Sequence, residues 1–283
     1  MSFVDAAEAP VRNTGQIKLH GPEGFEGMRK AGRLAAECLD MLVPHVVPGV
    51  TTGALDDLAR EFILARGALP ACLFYKGYRH TVCTSINEVV CHGIPSPQRV
   101  LKDGDCVNID VTVIVDGWHG DTSRMYAVGE PKRKSVRLMD VTYECMMRGI
   151  EAIKPGARLG DIGAAIQEHA ERQGYSVVDA FCGHGLGRIF HDAPNILHFG
   201  RRGQGEPLLP GMIFTVEPMI NLGRRDVVLM ADGWTAKTRD RSPSAQYEHS
   251  VGVTETGVEI FTLSPTGLHT PHAKPGQTSS SKA

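Results

Sequence analysis

Apolar positions along the chain repeat one order twice: two segments with helical spacing, then segments with strand spacing. In residues 23–43, Met28, Ala31, Leu34, Ala35, Cys38, Leu39 and Leu42 recur at the three- and four-residue intervals of one helix face. A second helix is predicted from an N-cap at Thr51 or Thr52 to Gly67, with Leu55, Leu58, Phe62 and Ile63 on its apolar side. Strand-like segments follow to about Val128. Two more helices are predicted over roughly 134–153 and 159–173, the latter stopped by Gly174, and strands then return to about Leu263. Residues 1–20 have no sustained periodicity and read as a loosely held arm. Residues 269–283 are polar, with Pro, Ser and Gly, and read as a disordered tail. Residues 21–268 are expected to form a single α+β domain with pseudo-repeats near 25–130 and 132–265.

Sliding the chain against itself by 107 residues sharpens the repeat. Glu37, Cys38, Pro48, Gly49, Gly53, Glu61 and Gly67 then meet Glu144, Cys145, Pro155, Gly156, Gly160, Glu168 and Gly174. Phe74 meets Phe181, and Gly104 meets Gly211. Most of these identities fall at helix ends and turns, which favours internal duplication over two helical hairpins that merely share turn chemistry. The same offset carries Asp110 onto Glu217.

The run NIDVTVIVDGWHGDT (108–122) raises the chemical question. Asp116-Gly117 is a two-residue hairpin signal. It sets Val115 opposite Trp118, Ile114 opposite His119, Val113 opposite Gly120 and Thr112 opposite Asp121. Asp110, Thr112 and Asp121 then share one face, with the two aspartates diagonal neighbours. An isolated hairpin would leave both carboxylates solvated on an open face. Buried together, they would need a proton or a cation between them. The second half supplies Glu217 in MIFTVEPMI and Glu248 in AQYEHSVGV, with a longer connection that carries a further turn signal, Asp232-Gly233. A duplicated fold would bring these four carboxylates together across a pseudo-twofold axis, where two divalent cations would neutralise them. His184, between glycines in GHGLG (183–187), is the candidate neutral ligand. Four Asp/Glu carboxylates and an imidazole suit a two-metal hydrolytic centre rather than a Cys-rich structural zinc.

Composition narrows the setting. The 283 residues suffice for one large domain, and 42% hydrophobic with 22% charged residues is ordinary for a globular protein. A net charge of −2 offers no broad basic field for nucleic acid, and no apolar run is long enough for a membrane span. No signal-peptide pattern opens the chain. The seven cysteines form no CxxC pair and read as reduced, buried thiols, so a cytoplasmic location is expected.

The motifs TSINEVVCHGIP (84–95), NIDVTVIVDGWHGDTSRM (108–125), CGHGLGRIFHDAP (182–194), TVEPMI (215–220) and DGWTAKTRDRSPSAQYEHSVGVTETG (232–257) resemble those of the type I methionine aminopeptidases. The resemblance covers about residues 18–265. It implies the pita-bread fold, two pseudo-symmetric αββ halves with a central antiparallel sheet backed by helices. It implies that Asp110 holds one metal alone, that Asp121 and Glu248 bridge two metals, and that His184 and Glu217 complete the other site. The metals implied are Co, Mn, Fe or Zn, with a Na or K ion near Asn87, Val89 and Ser244. Glu217 would also act as base or proton shuttle, and His92 and His191 would contact substrate and stabilise the tetrahedral intermediate. The methionine pocket would be lined by Cys72, Tyr75, Tyr78, Cys83, Phe190 and Trp234. The chain departs from the pattern at Asp192, where the family usually has Glu after the second histidine. The type II insertion after Glu217 and an N-terminal zinc-binding extension are absent, which points to a bacterial or organellar form.

The expected activity is metal-dependent removal of the initiator methionine when the second residue is small, from N-terminal Met peptides and nascent chains at the ribosome, by a monomer. Two alternatives stand beside it. One is an Xaa-Pro-specific peptidase of the same fold, which usually carries an additional N-terminal domain. The other is a non-catalytic pita-bread binding protein, which typically loses ligands.

Overall fold

The computed structural model describes residues 1–271. The tail expected over 269–283 lies, from residue 272, outside the described residues. At the N-terminus, β1 (Phe3–Asp5) and β2 (Ile17–Leu19) pair in parallel. This corrects the expectation of a loosely held arm. Ile17 is buried in the core and Lys18 is only 9% exposed, its ammonium paired with Asp192 at 2.6 Å. Apolar periodicity cannot show such a segment, because its anchor is a buried ion pair beside a single apolar side chain.

Helix α1 (Pro22–Leu42) starts on Pro22, at a position whose N–H has no intrahelical partner. It buries the predicted Met28, Ala31, Ala35, Cys38, Leu39 and Leu42. Helix α2 (Thr52–Leu64) is capped by Thr51, whose Oγ1 accepts a hydrogen bond from the Ala54 N–H at 3.2 Å. Gly67 follows with a φ of 71°. Strands β3 (Leu69–Pro70), β4 (Val82–Ile86), β5 (Val89–Cys91), β6 (Cys106–Val115) and β7 (Trp118–Ala127) complete this half. The long β6 pairs antiparallel with β3, β4 and β7. The Asp116–Gly117 turn has both φ angles positive, 50° and 81°. It sets the register in which Val115 faces Trp118 and Thr112 faces Asp121.

The second half repeats the plan with α3 (Arg133–Glu151), α4 (Leu159–Arg172), β8 (Ser176–Val177), β9 (Gly183–Gly185), β10 (Asp192–Ile196), β11 (Ile213–Val216) and β12 (Met219–Asn221). A hairpin of β13 (Val227–Leu229) and β14 (Ala236–Thr238) precedes β15 (Ser244–Gln246), β16 (His249–Val253) and β17 (Val258–Ile260). A shift of 107 residues lays β3 onto β8, and β6 onto the span of β11 and β12 together. The second copy is broken at Glu217 and Pro218, and Pro has no N–H to donate to a ladder. The apolar run MIFTVEPMI is therefore two short strands with the carboxylate at the break. The Asp232-Gly233 signal does mark a hairpin. Its loop is wider than two residues, and Asp232 Oδ1 accepts from the Trp234 and Thr235 N–H groups at 2.9 and 2.8 Å.

Each half has its own apolar core, one around Leu39, Leu55, Ile63, Val107 and Ile109, the other around Leu138, Met146, Ile162, Phe214 and Val251. The halves join through shared apolar clusters, in which Met28, Ala31 and Cys83 meet Leu186, Phe190 and Ile213, and along a polar backbone seam. Ser123 and Glu248 form an antiparallel bridge, with N–H···O distances of 3.4 and 3.2 Å. Ser250 Oγ donates to the Asp121 carbonyl at 2.6 Å, Thr122 Oγ1 to the Glu248 carbonyl at 2.7 Å, and Asn108 Nδ2 to the Gln246 carbonyl at 2.8 Å. Helix α1 packs directly on β7, and the closest approach is at Gly120. A Cβ there would lie 2.2 Å from the Ala31 carbonyl carbon and oxygen. Gly120→Ala is expected to destabilise the protein by about 1–3 kcal/mol through overpacking. Urea unfolding checks this, and an unchanged midpoint would show that α1 yields freely.

Candidate metal centre and substrate pocket

At the seam the two halves enclose a cavity of about 410 Å³. It is lined by Asp110, Asp121, Glu217, Glu248 and His184, with His92, His191, Cys72, Tyr75, Tyr78, Cys83, Phe190 and Trp234. Every residue singled out in the sequence for metal or substrate thus faces one space. Asn87, Val89 and Ser244 do not line it. They lie on neighbouring backbone, where the Ser244 N–H donates to the Asn87 carbonyl at 2.8 Å.

The hairpin parity places Asp110 and Asp121 as expected, and the seam brings in the other two carboxylates. Asp121, His184 and Glu248 each offer a ligand atom within 4.8 Å of the others. His184 Nε2 lies 3.6 Å from both Asp121 Oδ2 and Glu217 Oε1. The imidazole comes this close because its neighbours are glycines. A Cβ on Gly183 would sit 2.4 Å from the Thr215 carbonyl oxygen, and one on Gly185 2.0 Å from that of Ala193.

The electrostatics state what is missing from such a set. Burial raises Asp110 to about 7 and Glu217 to about 8. Burial, and then repulsion from the neighbouring carboxylates, holds Asp121 and Glu248 well above the usual range. Burial depresses His184 to about 4, so its ring is neutral and can act as a ligand. Asp110 Oδ1 is buried with no hydrogen-bond partner. An orphaned carboxylate oxygen among buried acids and a neutral imidazole fits a divalent-cation site.

Hydroxyl, amide and imidazole groups hold this set, and of these the hairpin register placed only Thr112 in the sequence, opposite Asp121. Thr112 Oγ1 donates to Asp121 Oδ1 at 2.7 Å, and Thr215 Oγ1 to Glu217 Oε1 at 2.6 Å. Gln246 Nε2 reaches Glu217 Oε2 at 3.3 Å. The fully buried His198 accepts the Glu217 backbone N–H on Nε2 at 3.1 Å. The spacing Thr215-x-Glu217 is a faint signal, since alternate strand residues share a face. His198 carries no sequence signal, because its role is set by a strand distant in the chain.

The pocket beside the acids is aromatic and sulfur-lined. Tyr78 and Trp234 meet edge to face at 5.0 Å, and Tyr75 packs on Phe190 at 4.8 Å. Burial raises the thiols of Cys72 and Cys83 well above their usual range, so they stay protonated and serve as apolar wall. His191 stacks on Phe190 with centroids 4.2 Å apart, and its Nδ1 is 2.8 Å from the Tyr75 hydroxyl. His92 is held with a φ of 56°, a conformation rare outside glycine, between Phe181 and Trp234.

Residues 26–255 match the model of metallopeptidase family M24. The chain is 59% identical over 256 residues to a methionine aminopeptidase of Rickettsia prowazekii, covering 90% of this chain and 98% of that one. It is 54% identical over 248 residues to the Escherichia coli methionine aminopeptidase, covering 87% and 94%. The crystal structure of the Rickettsia protein superposes with a TM-score of 0.87 over 88% of this chain and 100% of that one. A Pyrococcus furiosus prolidase shares the fold, with a TM-score of 0.69 at 21% identity over 86% of this chain and 65% of that one. The chain belongs to metallopeptidase family M24, and within it to the methionine aminopeptidases.

Proposed function

We propose that residues 21–268 act as one catalytic domain that removes the initiator methionine from N-terminal Met peptides and nascent chains when the second residue is small. The observation that carries this reading is the convergence of five ligand-type side chains beside an aromatic, sulfur-lined pocket that suits a flexible thioether. Asp110, Asp121, His184, Glu217 and Glu248 would hold two divalent cations, Asp110 on one, His184 and Glu217 on the other, and Asp121 and Glu248 between them. Bound there, the cations supply Lewis acidity and lower the pKa of a bound water. Co, Mn, Fe and Zn all suit this donor set. Asn87, Val89 and Ser244 are the candidate Na or K site. The unpartnered, buried Asn221 Oδ1, on the residue paired with Ser244, supports it.

The side chains divide the chemistry as follows. Cys72, Tyr75, Tyr78, Cys83, Phe190 and Trp234 take the methionyl side chain. Glu217 receives a proton from the attacking water and returns it to the departing amine, while the carbonyl carbon gains a C–O bond and loses its C–N bond. Its hydrogen bonds from Thr215 and Gln246 keep the carboxylate aimed for that shuttle. In the tautomer in which Tyr75 donates to Nδ1, His191 would carry its proton on Nε2 and donate to the scissile carbonyl oxygen as charge develops there. Burial depresses His191 to about 2, so it remains a neutral donor. His92, between Phe181 and Trp234, contacts the substrate in the same cavity.

The Xaa-Pro reading is not favoured, since the prolidase likeness carries the fold alone. The non-catalytic reading is not favoured either, because all five ligand candidates are present and gathered.

The wild-type protein loaded with Mn or Co should release Met from Met-Ala-Ser and leave Xaa-Pro peptides intact. Glu217→Gln should lower kcat by about 10²–10⁴-fold, the range of a lost general acid–base group. Asp110→Asn should lower both activity and metal content. Equal turnover by wild type and both variants in a coupled assay would refute the assignment.

Cation binding should also depend on pH in a defined direction. The buried acids are raised in the folded state, from about 4 when unfolded to about 7 for Asp110 and about 8 for Glu217. Their neutral forms therefore stabilise the metal-free fold below about pH 4, and this is lost as pH rises through about 7–8. A divalent cation displaces those protons. The rise in melting temperature on adding Mn should therefore grow from about pH 5.5 to about pH 8. A rise that shrinks over that interval would contradict a carboxylate-held cation.

A further inference from the structure

One buried cation lies outside the carboxylate cluster. Lys18, on β2, is 9% exposed, and its Nζ has two partners. It donates to Asp192 Oδ2 at 2.6 Å and to the Arg12 carbonyl at 3.2 Å. Asp192 is itself 7% exposed, and its Oδ1 accepts the Ala193 N–H at 2.9 Å. Asp192 is the residue after His191 and lines the same cavity. The loop that Lys18 closes by gripping Arg12 carries Asn13, which also lines that cavity. Asn13 Nδ2 donates to the His191 carbonyl at 3.2 Å, and its own Oδ1 accepts the Gly15 N–H at 2.8 Å.

His191 is therefore held from three directions. Its ring is fixed by Tyr75, its carbonyl by Asn13, and the backbone that follows it by the Asp192–Lys18 pair. Two of these three restraints come from the N-terminal segment. The shorter carboxylate of Asp192 still meets an ammonium, because β2 brings Lys18 to it across 174 residues of sequence. A buried pair of this kind adds little net stability over an apolar pair of similar volume, whereas either charge left alone is costly. Its retention beside a substrate-contacting histidine has a geometric use, since displacements of about 1 Å in a catalytic group can cost about 100-fold in rate.

We infer that Lys18 is a positioning residue for the aminopeptidase reaction, acting through Asp192 to set His191, and that the N-terminal segment is thereby part of the catalytic apparatus. This rests on the reading of His191 proposed above. The test compares Lys18→Met, Asp192→Asn, the double variant and Asp192→Glu on Met-Ala-Ser, with melting temperature and metal content measured in parallel.

The double variant leaves no lone buried charge, so it should fold and bind metal as the wild type does. Its kcat should still fall by about tenfold to a hundredfold, with KM within about twofold. Asp192→Glu keeps a carboxylate within reach of Lys18 and should recover most of the kcat lost in Asp192→Asn. If the pair serves stability alone, the double variant will turn over at the wild-type kcat, and the inference fails. A fall in KM-dependent binding with kcat intact would overturn it as well. An inactive wild type would instead sink the aminopeptidase reading, and the two failures are thus distinct.

Discussion

Four carboxylates share one water-poor crevice, and no arrangement of protein dipoles around them would let all four ionise unaided. Burial raises Asp110, and burial with repulsion from Asp110 raises Glu217, toward neutral pH; burial and then repulsion from the neighbouring carboxylates hold Asp121 and Glu248 well above the usual range. The structure accepts this cost in the folded state and depends on charge from outside the chain to offset it. Around the acids the halves meet through polar groups, the backbone bonds at Ser123 and Glu248 and the hydroxyls of Thr122 and Ser250. The apolar packing between the halves lies to either side, where Met28, Ala31 and Cys83 meet Leu186, Phe190 and Ile213, and Val90 and Cys91 meet Val178 and Met219.

The hydrogen bonds around the acids follow from the same constraint. A carboxylate waiting for a cation must be held in place without being neutralised. Hydroxyl and amide donors do this, whereas Lys or Arg would fill the site themselves. Thr112, Thr215 and Gln246 occupy these places, each with one bond to a carboxylate oxygen. Asp110 Oδ1 is left free. The nearest buried ammonium, Lys18, is spent on Asp192, beyond His191.

Much of this was legible from the chain alone, for identifiable reasons. The Asp116-Gly117 turn admits one tight register, so the parity of Asp110 and Asp121 followed from two residues. The 107-residue offset survived duplication at glycines and caps, where backbone geometry leaves little choice, and these positions tied Asp110 to Glu217. The family resemblance then supplied the roles, which spacing could not. Other features had no local sign. His198 and Gln246 matter through contacts made across strands. The break at Glu217 was hidden in an apolar run, though Pro218 marks it. The first twenty residues looked loose because their order comes from a two-strand ribbon, one buried Ile17 and an ion pair with a residue far along the chain, none of which leaves an apolar period.

That last miss bears on how the site is built. A duplicated fold yields two matched sets of acids, and from within it Tyr75 and Phe190 pack on the His191 ring, but the His191 carbonyl is met by a residue outside the repeats. Residues 3–5 and 17–19 pair as a small parallel ribbon, and the loop between them turns back so that Asn13 reaches the His191 carbonyl. The symmetric part of the molecule thus provides the charge, and the asymmetric part holds the backbone on both sides of the His191 carbonyl, the histidine proposed to meet the substrate. Substituting Asp for the longer Glu at position 192 is tolerable in this arrangement. The ammonium that meets it sits on a long, flexible stem, which can advance by the length of one methylene.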